Sequence, residues 1–315
     1  MDSNEKILIA GANGLVGSAI DRQLRQQGYT NIVGVGRQRC DFRNQQETFE
    51  LFRAEKPDYV FLAAAKVGGI GHNQKHPAEY IRDNLLIQTN VIDSAYVSGA
   101  KKLLFLGSAC IYPKFAPVPI KETDLLTGPM EPTNIGYALS KIIGLTMCQK
   151  YTEQYGFKTV SVMPNNLYGI HDNFDPEKCH VIPSFINRFI AAKENNYQTI
   201  TCFGDGTPTR EFLYSDDLAD ACIFLMNNYD DPGPINIGPN HEVTIKELAE
   251  TVADIFGYQG QIVWDTSKPN GTPRRALDTS KMDALGWKPK VDLRQGLRMT
   301  IDWYLNNRDT NEIRV

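Results

Sequence analysis

KILIAGANGLVG, residues 6–17, is the stretch whose reading decides the fold. Its first half, KILIA, is a short, continuous apolar run of the kind that forms a buried strand. Its second half carries Gly11, Gly14 and Gly17 in a G-x-x-G-x-x-G spacing and leads into an amphipathic pattern over 14–27. Glycine lets a chain turn sharply from strand to helix and bring its backbone against a pyrophosphate. The helix N-terminus then offers unpaired N–H groups and the positive end of its dipole. The spacing is not the commoner G-x-G-x-x-G, and a glycine triplet alone also suits a bare tight turn. Its position between a strand and a helix favours a dinucleotide cradle.

Working outward, the same alternation recurs. Residues 32–36, 59–63, 103–107 and 159–163 read as further buried strands, and 45–55, 77–99 and 135–155 as helices between them. Such strands need cover on both faces, which predicts an α/β, doubly wound parallel sheet of the Rossmann type with ligands at the strands' carboxyl ends. Beyond about residue 165 the pattern loosens. Helices are expected at 181–193, 215–228, 244–257 and 292–307, a strand near 199–203, and a loop over SKPNGTPRR (267–275). Thr244 and Glu247 have capping-box spacing. The expected division is a dinucleotide-binding domain over 1–165, rejoined by 211–238, and a smaller α/β substrate domain from 166–210 and 239–315.

Composition narrows the partners. The 315 residues are 42% hydrophobic and 22% charged, with a net charge of −4, an ordinary soluble balance that argues against nucleic acid or an anionic membrane as partner. The polar start and the lack of a long apolar run predict neither a signal peptide nor a membrane span. Six scattered cysteines, with no Cys-x-x-Cys pair, read as reduced thiols in a cytoplasmic protein, not as a disulfide or metal framework.

The end of the second strand reads Gly36-Arg37-Gln38-Arg39. An acidic residue there would accept from ribose hydroxyls, whereas a guanidinium pairs with a ribose 2′-phosphate. Arg37 therefore predicts NADPH, with Asp41 placed near the adenine. Tyr137 and Lys141, four residues apart in YALSK, share one helix face. An ammonium beside a phenol lowers its pKa and lets it exchange a proton with a carbonyl oxygen. Ser108, at the end of the fourth strand, supplies a hydroxyl for the same oxygen.

The glycine loop with Ser108, Tyr137 and Lys141 resembles the extended branch of the short-chain dehydrogenase/reductase family. AAAKVGGI (63–70), GSACIYPK (107–114), EPTNIGYALSK (131–141), VMPNNLYGIHDNF (162–174), HVIP (180–183) and GTPTREFLYSDD (206–217) are similar to the members that form GDP-L-fucose. The resemblance runs from the glycine loop to about residue 290. It implies epimerisation of GDP-4-keto-6-deoxy-D-mannose at carbons 3 and 5 followed by reduction at carbon 4, in a homodimer. By resemblance, Cys110 is the base and His180 the acid of the epimerisations. By composition alone each would more readily be a packing or loop residue. The resemblance also places the cofactor against Gly11, Ala12, Asn13, Gly14, Leu15, Val16 and Gly17, and against Leu106, Gly107, Lys141, Pro164, Asn165, Asn166, Leu167 and His180. It places the nucleotide sugar against Arg188, Phe203, Arg210 and Asn270. Three positions depart from the family pattern: Ala109 replaces a serine, Asn270 an aspartate, and Asn13 an arginine of some relatives. Related activities fit less well. A 4,6-dehydratase would carry an Asp-Glu pair where Ala109 and Cys110 stand, and a 4-epimerase an acidic residue in place of Arg37. A cofactor-sensing protein without turnover would not need Ser108, Tyr137 and Lys141 together.

Overall fold

The computed structural model describes residues 1–268, 270 and 272–310. In chain order the elements are β1 (Ile7–Ala10), α1 (Leu15–Gln26), β2 (Ile32–Val35), α2 (Gln45–Glu55), β3 (Tyr59–Leu62), α3 (Ile70–Lys75), α4 (Pro77–Val97), β4 (Lys102–Leu106), α5 (Ile135–Tyr155) and β5 (Lys158–Pro164). They continue with β6 (Asn166–Tyr168), α6 (Val181–Glu194), β7 (Thr199–Phe203), β8 (Thr209–Tyr214), α7 (Ser215–Asn228) and β9 (Pro234–Ile237). The last are β10 (Glu242–Thr244), α8 (Ile245–Phe256), β11 (Gln261–Asp265), β12 (Arg274–Arg275), α9 (Ser280–Ala284) and α10 (Leu293–Asn307).

The main sheet is parallel, in the order β2-β1-β3-β4-β5-β9. β1 explains why its sequence is apolar throughout. Ile7 and Ile9 pack with Ala19, Ile20 and Leu24 of α1 and with Leu218, Cys222 and Leu225 of α7. Leu8 and Ala10 point the other way, to Phe52 of α2, Val91 and Ile92 of α4, and Leu145 of α5. All four β1 residues have no exposed surface, and burial stabilises by roughly 1.5–3 kcal/mol for each such Ile or Leu. Strand order reverses between β2 and β3 around β1, so the crevice at the carboxyl ends of these strands is the switch point where ligands bind in such sheets.

The second region centres on β8. Its first half pairs antiparallel with β10 and parallel with β12, and its second half pairs parallel with β6. β7 and β11 form a separate parallel pair. A third apolar cluster joins α6, α8 and α10, with Phe189, Leu248 and Leu297 at its centre. The expected capping box forms at α8: Thr244 Oγ1 accepts from Glu247 N at 3.0 Å, and Glu247 Oε2 accepts from Thr244 N at 2.7 Å.

Two details differ from the sequence expectation. The stretch 211–238 divides: β8 belongs to the second sheet, while α7 and β9 join the first. The expected loop 267–275 ends in strand β12, because Arg274 and Arg275 add to the edge of β8. Pro269 and Gly271 of that loop, and 311–315, lie outside the described residues. The strands β6, β10 and β12, with two or three residues each, are too short to show a period of two.

Candidate active site

The glycine loop is built for close approach. Gly11 has φ +90°, and a Cβ there would lie 2.6 Å from Ala64 N, at the end of β3. A Cβ on Gly17 would lie 2.1 Å from Gly11 O. Gly14 caps α1 with no side-chain bond to its first N–H groups. Gly11 N and Ala12 N donate to Val35 O at 2.8 and 3.2 Å, and Asn13 lies against Gly36, which ties the loop to the end of β2. Such a cradle at a helix N-terminus and a switch point fits the pyrophosphate of a dinucleotide.

At the end of β2 the Arg37 side chain is 75% exposed, with Nε 3.6 Å from Asp41 Oδ2. Asp41 is bound chiefly by Arg43, whose Nε donates to it at 2.9 Å, and this pair holds its carboxyl down at about 2. Arg39 pairs with Glu55, and Arg43 reaches Asp83 at 3.3 Å. Of these three arginines Arg37 is the one most open to a phosphate.

Gly107 N, just past β4, donates to Val162 O at 2.9 Å. The chain then makes a single 3-10 turn, Ala109–Ile111. The Ser108 hydroxyl caps this turn, accepting from Cys110 N at 3.2 Å, and Cys110 is partly exposed. Arg275 of β12 holds the same turn from the opposite wall: its Nη2 donates to Ala109 O at 2.6 Å and to Tyr112 O at 3.4 Å.

Tyr137 and Lys141 project from the first turns of α5, as their spacing requires. Ser108 is a hydrogen-bond partner of the Tyr137 phenol, and Cys110 stands near enough that its charge would act on it. Lys141 is buried, donates from Nζ to Leu106 O at 2.6 Å, and lies 5.9 Å from the Tyr137 ring centre. The expected acidification of Tyr137 by Lys141 does not hold in this geometry. Burial pushes the phenol well above its usual value, and burial likewise pushes Lys141 down to about 8. Desolvation of both groups outweighs an ammonium that faces the ring and a backbone carbonyl. The result is a phenol held protonated, the form that donates.

His180 caps α6 without using its side chain. Its surface is open to solvent, yet the surrounding protein lowers its pKa by desolvation, as at the wall of a cleft. Gly68 and Gly69 bring this wall close. Gly69 N donates to Lys178 O at 2.9 Å, and a Cβ on Gly69 would lie 3.0 Å from Cys179 O. A Cβ on Gly68 would collide with the hydroxyl of Tyr80, whose ring packs edge-on against Tyr137 at 6.4 Å. The loop from β3 thus links the His180 wall to the Tyr137 side. The adjacent glycines of AAAKVGGI were the sequence signal for this packing.

On the second region, the Arg188 guanidinium lies 5.0 Å over the Phe203 ring while donating to Thr201 O at 2.7 Å. Phe203 is 60% exposed, leaving that aromatic surface available for stacking. Arg210 and Arg275 are register partners, and burial together with Arg275 lowers the Arg210 pKa. Two neighbouring guanidiniums, one of them desolvated, favour an anion between them. Arg275 was not foreseen. Its signal was the pair Arg274-Arg275: on a strand these alternate, and Arg274 turns instead to Glu242 at 2.6 Å. Asn165 is buried against Glu211, and Asn166 donates to Glu211 O at 3.0 Å. Asn270 faces the turn beside Phe203, where its Oδ1 accepts from Asp205 N at 3.0 Å. Thr207 and Asn270 hold the Asp205 carboxyl below its ordinary value. An aspartate at 270 would set a like charge against Asp205, so asparagine suits this neighbour.

A dinucleotide cradle facing a Ser, Tyr and Lys set, with a cationic second wall, defines a dinucleotide-dependent enzyme acting at a carbonyl. The chain belongs to the NAD dependent epimerase/dehydratase family, which matches residues 7–238. It is 55% identical over 98% of its length to a putative GDP-L-fucose synthase 2 of Arabidopsis thaliana, 94% of which is covered. It is 45% identical to the GDP-L-fucose synthase of Escherichia coli, with 98% of each chain covered. Its fold superposes with TM-score 0.93 on an NADP-bound GDP-L-fucose synthetase from Naegleria fowleri, at 30% identity, covering 99% of this chain and 96% of that one.

Proposed function

We propose that this protein converts GDP-4-keto-6-deoxy-D-mannose to GDP-L-fucose, by epimerisation at carbons 3 and 5 and NADPH-dependent reduction at carbon 4. The observation that carries this reading is Cys110, presented on the turn that Ser108 caps, beside Tyr137. A simple ketone reductase has no need of a thiol there.

Both epimerised carbons flank the carbon 4 ketone, so their protons are acidic once the enolate oxygen is held. Ser108 and Tyr137 donate to that oxygen. Cys110 removes a proton from one face and His180 returns one from the other; exchange with water then strips Cys110 and reloads His180 before the second carbon reacts. NADPH, when bound, supplies the hydride for carbon 4. Tyr137 gives its proton to the ketone oxygen. Lys141 orients the Tyr137 side and, with the Gly11–Gly17 loop, Leu106, Pro164, Asn165 and Leu167, holds the cofactor. Arg37 would take its 2′-phosphate, and Asp41, locked by Arg43, would line the adenine side. Arg188, Arg210 and Arg275 take the diphosphate, and Phe203 the guanine.

The test is NADPH oxidation with purified protein and the keto-sugar, with the product identified by NMR. GDP-L-fucose formed with NADPH and poorly with NADH supports the reading. An un-epimerised 6-deoxyhexose overturns the roles of Cys110 and His180. Arg275→Ala is expected to raise KM for the keto-sugar and slow epimerisation by about tenfold each, the scale of a lost charge-assisted bond. NADPH affinity, by fluorescence titration, should stay unchanged.

Exposed Leu86 and Val97 on α4 and Ile143 on α5 support a homodimer through these two helices. A solution mass of twice the 35.4 kDa chain checks it. Unpaired cysteines support a cytoplasmic setting.

A further inference from the structure

Glu211 lies one residue beyond Arg210 in β8, and the chemistry above gives it no role. It is 2% exposed. Its Oε2 accepts from Asn165 Nδ2 and, at 2.9 Å, from Leu277 N. A Cβ on Gly238 would approach that oxygen to 3.3 Å, so the backbone closes over it as well. These partners come from separate places. Asn165 follows β5, and its N donates to Ile237 O at 3.1 Å. Gly238 follows β9, and Leu277 follows β12, two residues after Arg275. One carboxyl therefore joins the floor of the first sheet to the wall that carries Arg210 and Arg275.

We propose that Glu211 is a positioning residue that fixes the spacing between the Asn165 floor and the Arg275 wall, so that the cofactor and GDP-sugar halves of the cleft meet in register. The inference rests on the reading of the cleft given above. The carboxyl's surroundings support it. Burial pushes Glu211 up to about 7, against the pull of the Leu277 and Asn165 hydrogen bonds. The charged groups facing it are Glu242 of β10, which raises it further, and Arg274 of β12, which lowers it. Arg274 is already bound to Glu242 at 2.6 Å, so its charge is largely spent. A neutral carboxylic acid suits this dry junction, and an ion there costs its desolvation. The folded value stands above the ordinary 4.5. The stabilisation is therefore complete below that value and is lost as pH climbs through about 7.

The experiment compares wild type with Glu211→Gln and Glu211→Ala. Thermal unfolding without ligands is followed from about pH 6 to about pH 8, a window that spans the titration. Relative to Glu211→Gln, which keeps the shape and cannot ionise, wild type should lose Tm across that window. Glu211→Gln should hold KM for both ligands near the wild-type values. Glu211→Ala should weaken NADPH, by fluorescence titration, and raise KM for the keto-sugar, each by about tenfold. Parallel Tm curves for wild type and Glu211→Gln would overturn the inference, as would a folded Glu211→Ala with unchanged NADPH affinity. If the alanine variant does not fold, Glu211→Asp, whose shorter side chain withdraws the carboxyl from Asn165 and Leu277, takes its place in the NADPH titration, and unchanged affinity there overturns the inference equally. The unfolding and NADPH arms need no turnover, so a different sugar substrate would change the KM arm alone.

Discussion

Cys110→Ser is expected to reduce proton exchange at carbons 3 and 5 by about 10²–10⁴-fold, the span typical of a lost general base. A serine hydroxyl ionises far less readily than a thiol, so the variant keeps the shape of the site and loses the base. The turn should survive the change. Ser108 binds the backbone N of residue 110, and Arg275 binds the carbonyl of Ala109, so neither contact uses the thiol. The measurement is NMR of the keto-sugar in deuterated water with NADPH withheld. Deuterium entering both carbons at the wild-type rate would remove Cys110 from the mechanism. With NADPH added, reduction should persist and yield the un-epimerised 6-deoxyhexose, because Tyr137 and Lys141 are untouched.

Tyr137→Phe should do the reverse. Reduction falls by about 10²–10⁴-fold, since the proton for the ketone oxygen has lost its donor. NADPH binding, by fluorescence titration, stays unchanged. Phenylalanine preserves the edge-on packing against Tyr80 at 6.4 Å, so the loss belongs to the hydroxyl. Exchange at carbons 3 and 5 should continue at a lowered rate, with Ser108 still donating to the enolate oxygen. In the wild type, burial keeps the phenol protonated, and Lys141 is pushed down to about 8. Reduction is therefore expected to be level through neutrality and to decline above about pH 8 as Lys141 discharges. A reduction rate that instead rises with pH through this range would show that the phenolate, not the phenol, is the working form.

These two residues also mark how far sequence reading reaches. Tyr137 and Lys141 declare themselves by a spacing of four on a helix, and α5 places them together as that spacing demands. The spacing does not set their ionisation. Spacing says that two groups share a face, but not how much water reaches them, and here burial dominates. Cys110 was legible through a resemblance spanning whole motifs, because one thiol after a strand carries no pattern of its own. For Arg275 the Arg274-Arg275 pair showed at most that the two side chains alternate; its hold on Ala109 joins residues 166 positions apart.

The sequence by itself determined the parallel sheet, the glycine cradle and the order of the first helices. Each is set by a local period, an apolar strand, or a glycine where a Cβ would collide. Only the tertiary structure decided what stands opposite them. Arg275 on the Cys110 turn and Glu211 between floor and wall depend on where a second sheet docks, and Asn270 turned to Asp205 on how β7 and β11 pair. That docking follows from packing and desolvation between distant segments, which no run of neighbouring residues encodes.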